Sequence, residues 1–213
     1  MGLLNTVGRQ LQHPRGWVGK ALFAGMTKKT IAHARWTVDL MRVQPDDDVV
    51  EIGFGNGSNI ELLARRANRG HVTGYEVSAT AIEMGLKRNA EAIAQGRVTL
   101  RLSVDGILPA PDESFDKACT VATMYVIADP RQVFREMHRV LRPGGLAAVT
   151  FPVRENFMEF KPVARAEGFH FHELADLETW FRGAGFGDVR TERNDDVQFG
   201  AHCMLGTKAD GPG

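Results

Sequence analysis

Apolar residues recur along the chain with two periods, and each change of period marks an element. Val49, Val50 and Ile52 form a short run suited to a strand covered on both faces, approached through Pro45 and Asp46-Asp47-Asp48. Gly53-Phe54-Gly55-Asn56-Gly57-Ser58 follows at once, and then Ile60, Leu63, Ala64 and Ala67 at helical spacing. Ser58, with Glu61 three residues on, reads as the N-cap of a capping box. The pattern therefore predicts a central strand, a glycine turn and a capped helix.

His71 to Val77 reads as a second strand. Ser78 caps the next helix, whose Ile82, Leu86, Ala90 and Ile93 share one face up to Gly96. Val98 to Val104 is a third strand, running into Asp105-Gly106, and Lys117 to Thr123 a fourth. Asp129 and Pro130 open a helix with Val133, Phe134, Met137 and Leu141 inward. Arg142-Pro143-Gly144-Gly145 stops it, and Leu146 to Phe151 make a fifth strand. Alternating strands and helices imply right-handed crossovers and ligand binding at the strand C-termini. The last third breaks the rhythm. Leu174, Leu177 and Phe181 predict a helix, and Gly187 to Arg193 and Gln198 to Lys208 two strands separated only by Asn194 to Val197. No crossover helix fits there, so this pair must be antiparallel. The expected fold class is α/β: a doubly wound, mostly parallel seven-stranded sheet with an antiparallel last strand.

Residues 1–45 are expected to form an N-terminal helical lid or cap, and residues 46–213 the cofactor-binding domain. Leu3 to Met41 is helical in pieces, broken at His13-Pro14-Arg15-Gly16 and near Gly25, with Ile31, Ala34, Val38 and Met41 in one stripe. Up to Pro45 the basic residues Arg9, Arg15, Lys20, Lys28, Lys29, Arg35 and Arg42 face one acid, Asp39. With Trp17, Phe23 and Met26 they suit a lid, an acidic-ligand contact, a weak membrane-surface contact, or simply solvated helices covering a sheet edge.

Length and charge narrow the function classes. The 213 residues, 43% apolar, suit one full core. Equal totals of 26 basic and 26 acidic residues argue against a nucleic-acid partner. No apolar run approaches the roughly 18 residues of a membrane span, and no signal peptide is evident, so a cytoplasmic location is expected. Cys119 and Cys203 sit in apolar strand-like runs, and neither a disulfide nor a metal site is expected.

The glycine turn carries the chemistry. Three glycines at alternate positions let the backbone approach a ligand closely and aim unpaired N–H groups at it. A nicotinamide or flavin fingerprint would place its third glycine where Ser58 stands. Glu51, at the strand end, suits a ligand ammonium group. Glu76, about 20 residues beyond the turn, suits the two hydroxyls of a ribose.

The run Val50-Glu51-Ile52-Gly53-Phe54-Gly55-Asn56-Gly57 resembles the first motif of class I S-adenosylmethionine-dependent methyltransferases. With Leu108-Pro109-Ala110-Pro111-Asp112-Glu113-Ser114-Phe115-Asp116 and the stretch from Glu136 to Gly145, the chain from about Asp46 to Lys208 is similar to the small ubiquinone and menaquinone C-methyltransferase group. That resemblance implies S-adenosylmethionine as cofactor and S-adenosylhomocysteine as product. It implies that Glu51, Gly53, Gly55, Asn56, Gly57 and Ser58 hold the methionine part, Glu76 with Val77 the ribose, Asp105 and its neighbours the adenine, and Thr120 the inner wall. Two departures stand out. Ser103-Val104-Asp105 replaces the family's Gly-Asp-Ala, and Tyr125-Val126 replaces the paired histidines of many relatives.

The sulfonium methyl is already activated, so motifs report the cofactor more than the acceptor. His170 and His172, in Phe169-His170-Phe171-His172-Glu173, are candidate bases, and Tyr125 is a third candidate beside the methyl. Each is also compatible with a capping or packing role. Phe151, Phe157, Met158, Phe160 and Phe169 suit an acceptor pocket or the core, while His138 and His202 are expected to be structural. Thr120-Val121-Ala122-Thr123 stands where amino-group methyltransferases often carry Asn/Asp-Pro-Pro-Tyr. The expected acceptor is a small molecule or lipid-like compound, methylated on oxygen or carbon. A nicotinamide-dependent oxidoreductase and a non-catalytic S-adenosylmethionine binder are the alternatives.

Overall fold

The computed structural model describes residues 31–103, 107–159 and 168–210. Its strands are β1 (Val49–Ile52), β2 (Val72–Glu76), β3 (Val98–Leu102), β4 (Phe115–Val121), β5 (Leu141–Pro152), β6 (Phe186–Asn194) and β7 (Ala201–Lys208). They make one seven-stranded sheet in the order β3-β2-β1-β4-β5-β7-β6. β1 to β5 pair in parallel, and β7 runs antiparallel to both its neighbours. The short link before β7 thus produces the reversal expected of it.

Helical residues 31–41 (α1) come first, followed by α2 (Ser58–Arg66), α3 (Ala79–Arg88), α4 (Ala90–Ala94), α5 (Pro130–Val140), α6 (Arg154–Met158) and α7 (Leu174–Gly183). Alternate residues of each strand feed two cores. On one face Val49, Cys119, Ala148 and Leu205 meet Val38 and Met41 of α1 and Ile60, Leu63 and Ala64 of α2. On the other, Val50, Ala118, Val149 and Met204 meet Val133, Phe134 and Met137 of α5 and Leu177 and Phe181 of α7. Cys119 and Cys203 are buried free thiols. Among the described residues no helix is long and apolar enough to cross a membrane.

Three local expectations are corrected. The N-cap of α2 is Gly57, in the left-handed region at φ 77°, and Ser58 makes no side-chain cap bond. Glu61 pairs instead with Arg65 and Arg88, so there is no capping box. The helix after Ser78 breaks at Asn89 (φ −102°, ψ 17°), dividing Ile82 and Leu86 from Ala90 and Ile93. β4 ends at Val121 because Ala122 turns to φ 56°.

Two of the sequence motifs prove to be braces. Arg139 spreads its guanidinium over Glu136 (2.8 Å), Asp112 (2.6 Å) and the carbonyls of Leu108 (2.9 Å) and Ala110 (2.8 Å). It ties the proline loop to α5. Arg142 bridges Asp116 (2.7 Å) and Asp48 (2.9 Å), fixing the entries of β4 and β1. Planar bidentate donors suit such mixed carboxylate and carbonyl targets.

Candidate functional site

The C-terminal ends of β1, β2 and β4 converge on the glycine turn. Gly53, Gly55 and Gly57 take φ of 73°, 57° and 77°, a region in which L side chains are strained. Space is short as well. A Cβ on Gly53 would lie 2.6 Å from Thr123 Cγ2, and one on Gly57 2.6 Å from Asn89 Nδ2 and 2.9 Å from Gly85 Cα. Between the glycines, Phe54 is buried against Gly74 and Gly85, where added Cβ atoms would approach its ring to 2.6 and 2.7 Å. Asn56 Oδ1 accepts the Ser58 N–H at 3.1 Å. Asn89 clamps the turn from outside, donating to Gly57 O and Gly85 O, each at 3.0 Å.

Glu51 is 1% exposed at the base of the turn. Its Oε1 accepts the Asn59 amide at 2.9 Å, while Oε2 has no hydrogen-bond partner among the described residues. Burial pushes its carboxyl up to about 8, with the Asn59 bond opposing and the Glu76 charge reinforcing the shift. A buried acid with one uncommitted oxygen fits a ligand that brings its own ammonium group.

Glu76 ends β2 and is also buried. Its Oε2 accepts the Gly55 N–H (2.9 Å), and its Oε1 accepts those of Val77 (2.8 Å) and Ser78 (3.1 Å). The carboxylate therefore joins the second strand end to the turn. Three bonds leave it roughly one free lone pair, so two ribose hydroxyls would have to replace the Gly55 contact. Val77 is 55% exposed beside it, with Leu102 and Ile107 also exposed on this rim. Thr120 is fully buried, and its hydroxyl lacks a hydrogen-bond partner among the described residues. Asp105 and Phe160 lie outside the described residues.

An acid-ended strand, a three-glycine turn and a second acid one strand over are thus assembled on a sheet with one reversed strand. Residues 50–149 match the family model of a methyltransferase domain. Residues 50–149 thus form a methyltransferase domain of the class I S-adenosylmethionine-dependent type. The uncharacterized methyltransferase YdaC of Bacillus subtilis is 26% identical over 168 residues, covering 78% of this chain and 82% of its own. The demethylmenaquinone methyltransferase of Listeria monocytogenes is 33% identical over 138 residues, 63% of this chain. The match spans 58% of that enzyme, under two thirds of its length. In fold, the chain superposes on one from the complex between the Haloferax volcanii Trm112 methyltransferase activator and a methyltransferase, with TM-score 0.77 and 20% identity, covering 91% of this chain and 96% of that one.

In this methyltransferase the loop after β4 meets the chain before α7. Met124–Val126 forms a 3-10 turn. The Tyr125 carbonyl accepts the His170 N–H at 2.8 Å, and the Tyr125 ring packs on Phe157 (5.0 Å) and Phe169 (5.7 Å). Phe171 and Phe199 extend the cluster through Phe157. His172 Nε2 lies 2.9 Å from Ile127 O, a contact that requires the proton on Nε2 and leaves Nδ1 as the basic nitrogen of the neutral ring. The two imidazoles stack at 6.4 Å, and Trp180 meets His172 edge-on. Burial pushes the Tyr125 phenol up to about 12, so at neutral pH it is a hydrogen-bond donor and not a base. His138 packs edge-on against Phe186, and His202 tilts against Phe151. Asn59 and Asn89 were not evident from the sequence as parts of the site. Neither has a local pattern, because the contacts to Glu51 and Gly57 O that place them at the site form only on folding.

Proposed function

We propose that the chain methylates a small-molecule or lipid-like acceptor on oxygen or carbon by in-line transfer. The observation that carries this reading is the aromatic cluster of Phe157, Phe169 and Phe171 gathered around Tyr125, which stands two residues beyond Thr123, whose hydroxyl donates to Gly53 O at 3.4 Å. Aromatic rings tied through Thr123 to the glycine turn favour a flat or hydrocarbon acceptor over a charged polymer.

Bound S-adenosylmethionine supplies an activated methyl group; the protein's work is to place the acceptor and keep water out. In this reading Glu51 takes the ammonium, and the backbone of Gly53, Gly55, Asn56, Gly57 and Ser58 lines the methionine arm. Glu76 and Val77 flank the ribose, Asp105 the adenine, and Thr120 closes the inner wall. Tyr125 orients the acceptor by donating a hydrogen bond, and His172 Nδ1, with His170 alongside, accepts a proton where the acceptor is a hydroxyl. The basic segment before Pro45 would add a weak contact with a lipid surface.

The reading is tested by incubating the protein and methyl-labelled S-adenosylmethionine with separate lipid and polar metabolite extracts. Label is expected in an organic-phase product, and His172→Asn should reduce its formation at least tenfold at pH 7 for a hydroxyl acceptor. Label confined to polar amines would overturn the acceptor class.

A further inference from the structure

Glu51 and Asn59 share a hydrogen bond that leaves one acceptor on each side chain unused. Asn59 Nδ2 donates to Glu51 Oε1 at 2.9 Å, while Glu51 Oε2 and Asn59 Oδ1 both lack partners. Both residues are buried, at 1% and 4% exposure, and the two leftover oxygens belong to side chains already joined by one hydrogen bond. Two buried acceptors left without a donor on a hydrogen-bonded pair are unfavourable unless a hydrogen is supplied to them. We propose that the pair holds one proton between Glu51 Oε2 and Asn59 Oδ1, and that the ammonium group of the ligand displaces this proton to solvent on binding. The inference rests on the S-adenosylmethionine assignment and makes Asn59 a positioning residue for Glu51.

The surroundings favour the protonated pair. Glu76, from β2, adds negative charge that raises the proton affinity of Glu51. Cys119, from β4, lies 3.9 Å from Asn59 Nδ2, and its own burial keeps the thiol neutral. On the same face of the sheet α1 brings in His33 and Thr37, and Thr37 bonds Thr150 at 2.7 Å. Among the described residues no salt bridge reaches Glu51. With the ligand present, the ammonium supplies donors to both freed oxygens, so the charge that replaces the proton is compensated where it forms.

Titration calorimetry at pH 7 in buffers of different ionisation enthalpy counts the protons. With the Glu51 carboxyl held up at about 8, S-adenosylhomocysteine should release about half to one proton per site. 5′-Methylthioadenosine, the same nucleoside without the amino-acid arm, should release none, as should S-adenosylhomocysteine binding to Glu51→Gln. Asn59→Leu should weaken S-adenosylhomocysteine about tenfold while leaving methylthioadenosine within about twofold. Binding of both ligands with equal release, or less than about 0.2 proton for S-adenosylhomocysteine, overturns the shared proton. Equal weakening of both ligands by Asn59→Leu overturns the positioning role. If neither ligand binds the wild-type protein, the cofactor assignment itself fails.

Discussion

Replacing Gly57 by alanine separates two costs that coincide in the glycine turn. At φ 77° the left-handed backbone alone costs an alanine about 1–2 kcal/mol. Its Cβ would also sit 2.6 Å from Asn89 Nδ2 and 2.9 Å from Gly85 Cα. The amide can swing away only by giving up its bonds to Gly57 O and Gly85 O, about 0.5–1.5 kcal/mol each, and the Gly85 backbone cannot swing at all. Gly96 provides the control. It has nearly the same φ, 72°, but nothing within 4 Å of an added Cβ. Gly96→Ala should therefore lose about 1–2 kcal/mol, and Gly57→Ala about 2–5. Urea denaturation of the two variants beside the wild type measures the difference, provided the m-values agree. Equal losses would show that the turn has room to relax and that Asn89 is not a clamp.

Other substitutions probe the acids and the acceptor side. The Glu51 carboxyl binds its proton more tightly folded than unfolded, so its contribution is complete below about pH 4.5 and is lost as pH rises through about 8. The stability of the wild type relative to Glu51→Gln should accordingly fall by on the order of 3–5 kcal/mol between pH 4 and pH 9, and parallel pH curves would refute the buried acid. Gly55→Val puts a branched side chain at φ 57° and should abolish S-adenosylhomocysteine binding while the far-UV spectrum persists; retained affinity counts against the turn as the ligand site. Glu76→Ala frees the N–H groups of Gly55, Val77 and Ser78 and should weaken the same ligand by about 1–3 kcal/mol by calorimetry. Because burial moves the Tyr125 phenol to about 12, Tyr125→Phe should lower kcat/KM without reshaping its pH profile between 6 and 9; a lost basic limb would make Tyr125 the base.

The sequence by itself determined what depends on neighbours along the chain. Periodicity located the strands, the four residues from Asn194 to Val197 required the reversal of β7, and Asp129-Pro130 marked the start of α5, where Asp129 accepts the Arg131 N–H at 3.0 Å. An acid between Val50 and Ile52 had to be buried if that strand was central. Local rules misread the cap of α2. Ser58 has the chemistry of a cap, but the left-handed Gly57 starts the helix one residue earlier. Nor could they show that Asn89 breaks a helix to clamp a turn 32 residues away, or that Arg142 reaches Asp48 across 94. Tertiary structure alone decided how Glu51 is paired, because Asn59 presents its amide only once α2 packs across β1. The proton affinity of that acid depends on burial and on Glu76 from another strand, and both exist only in the folded chain.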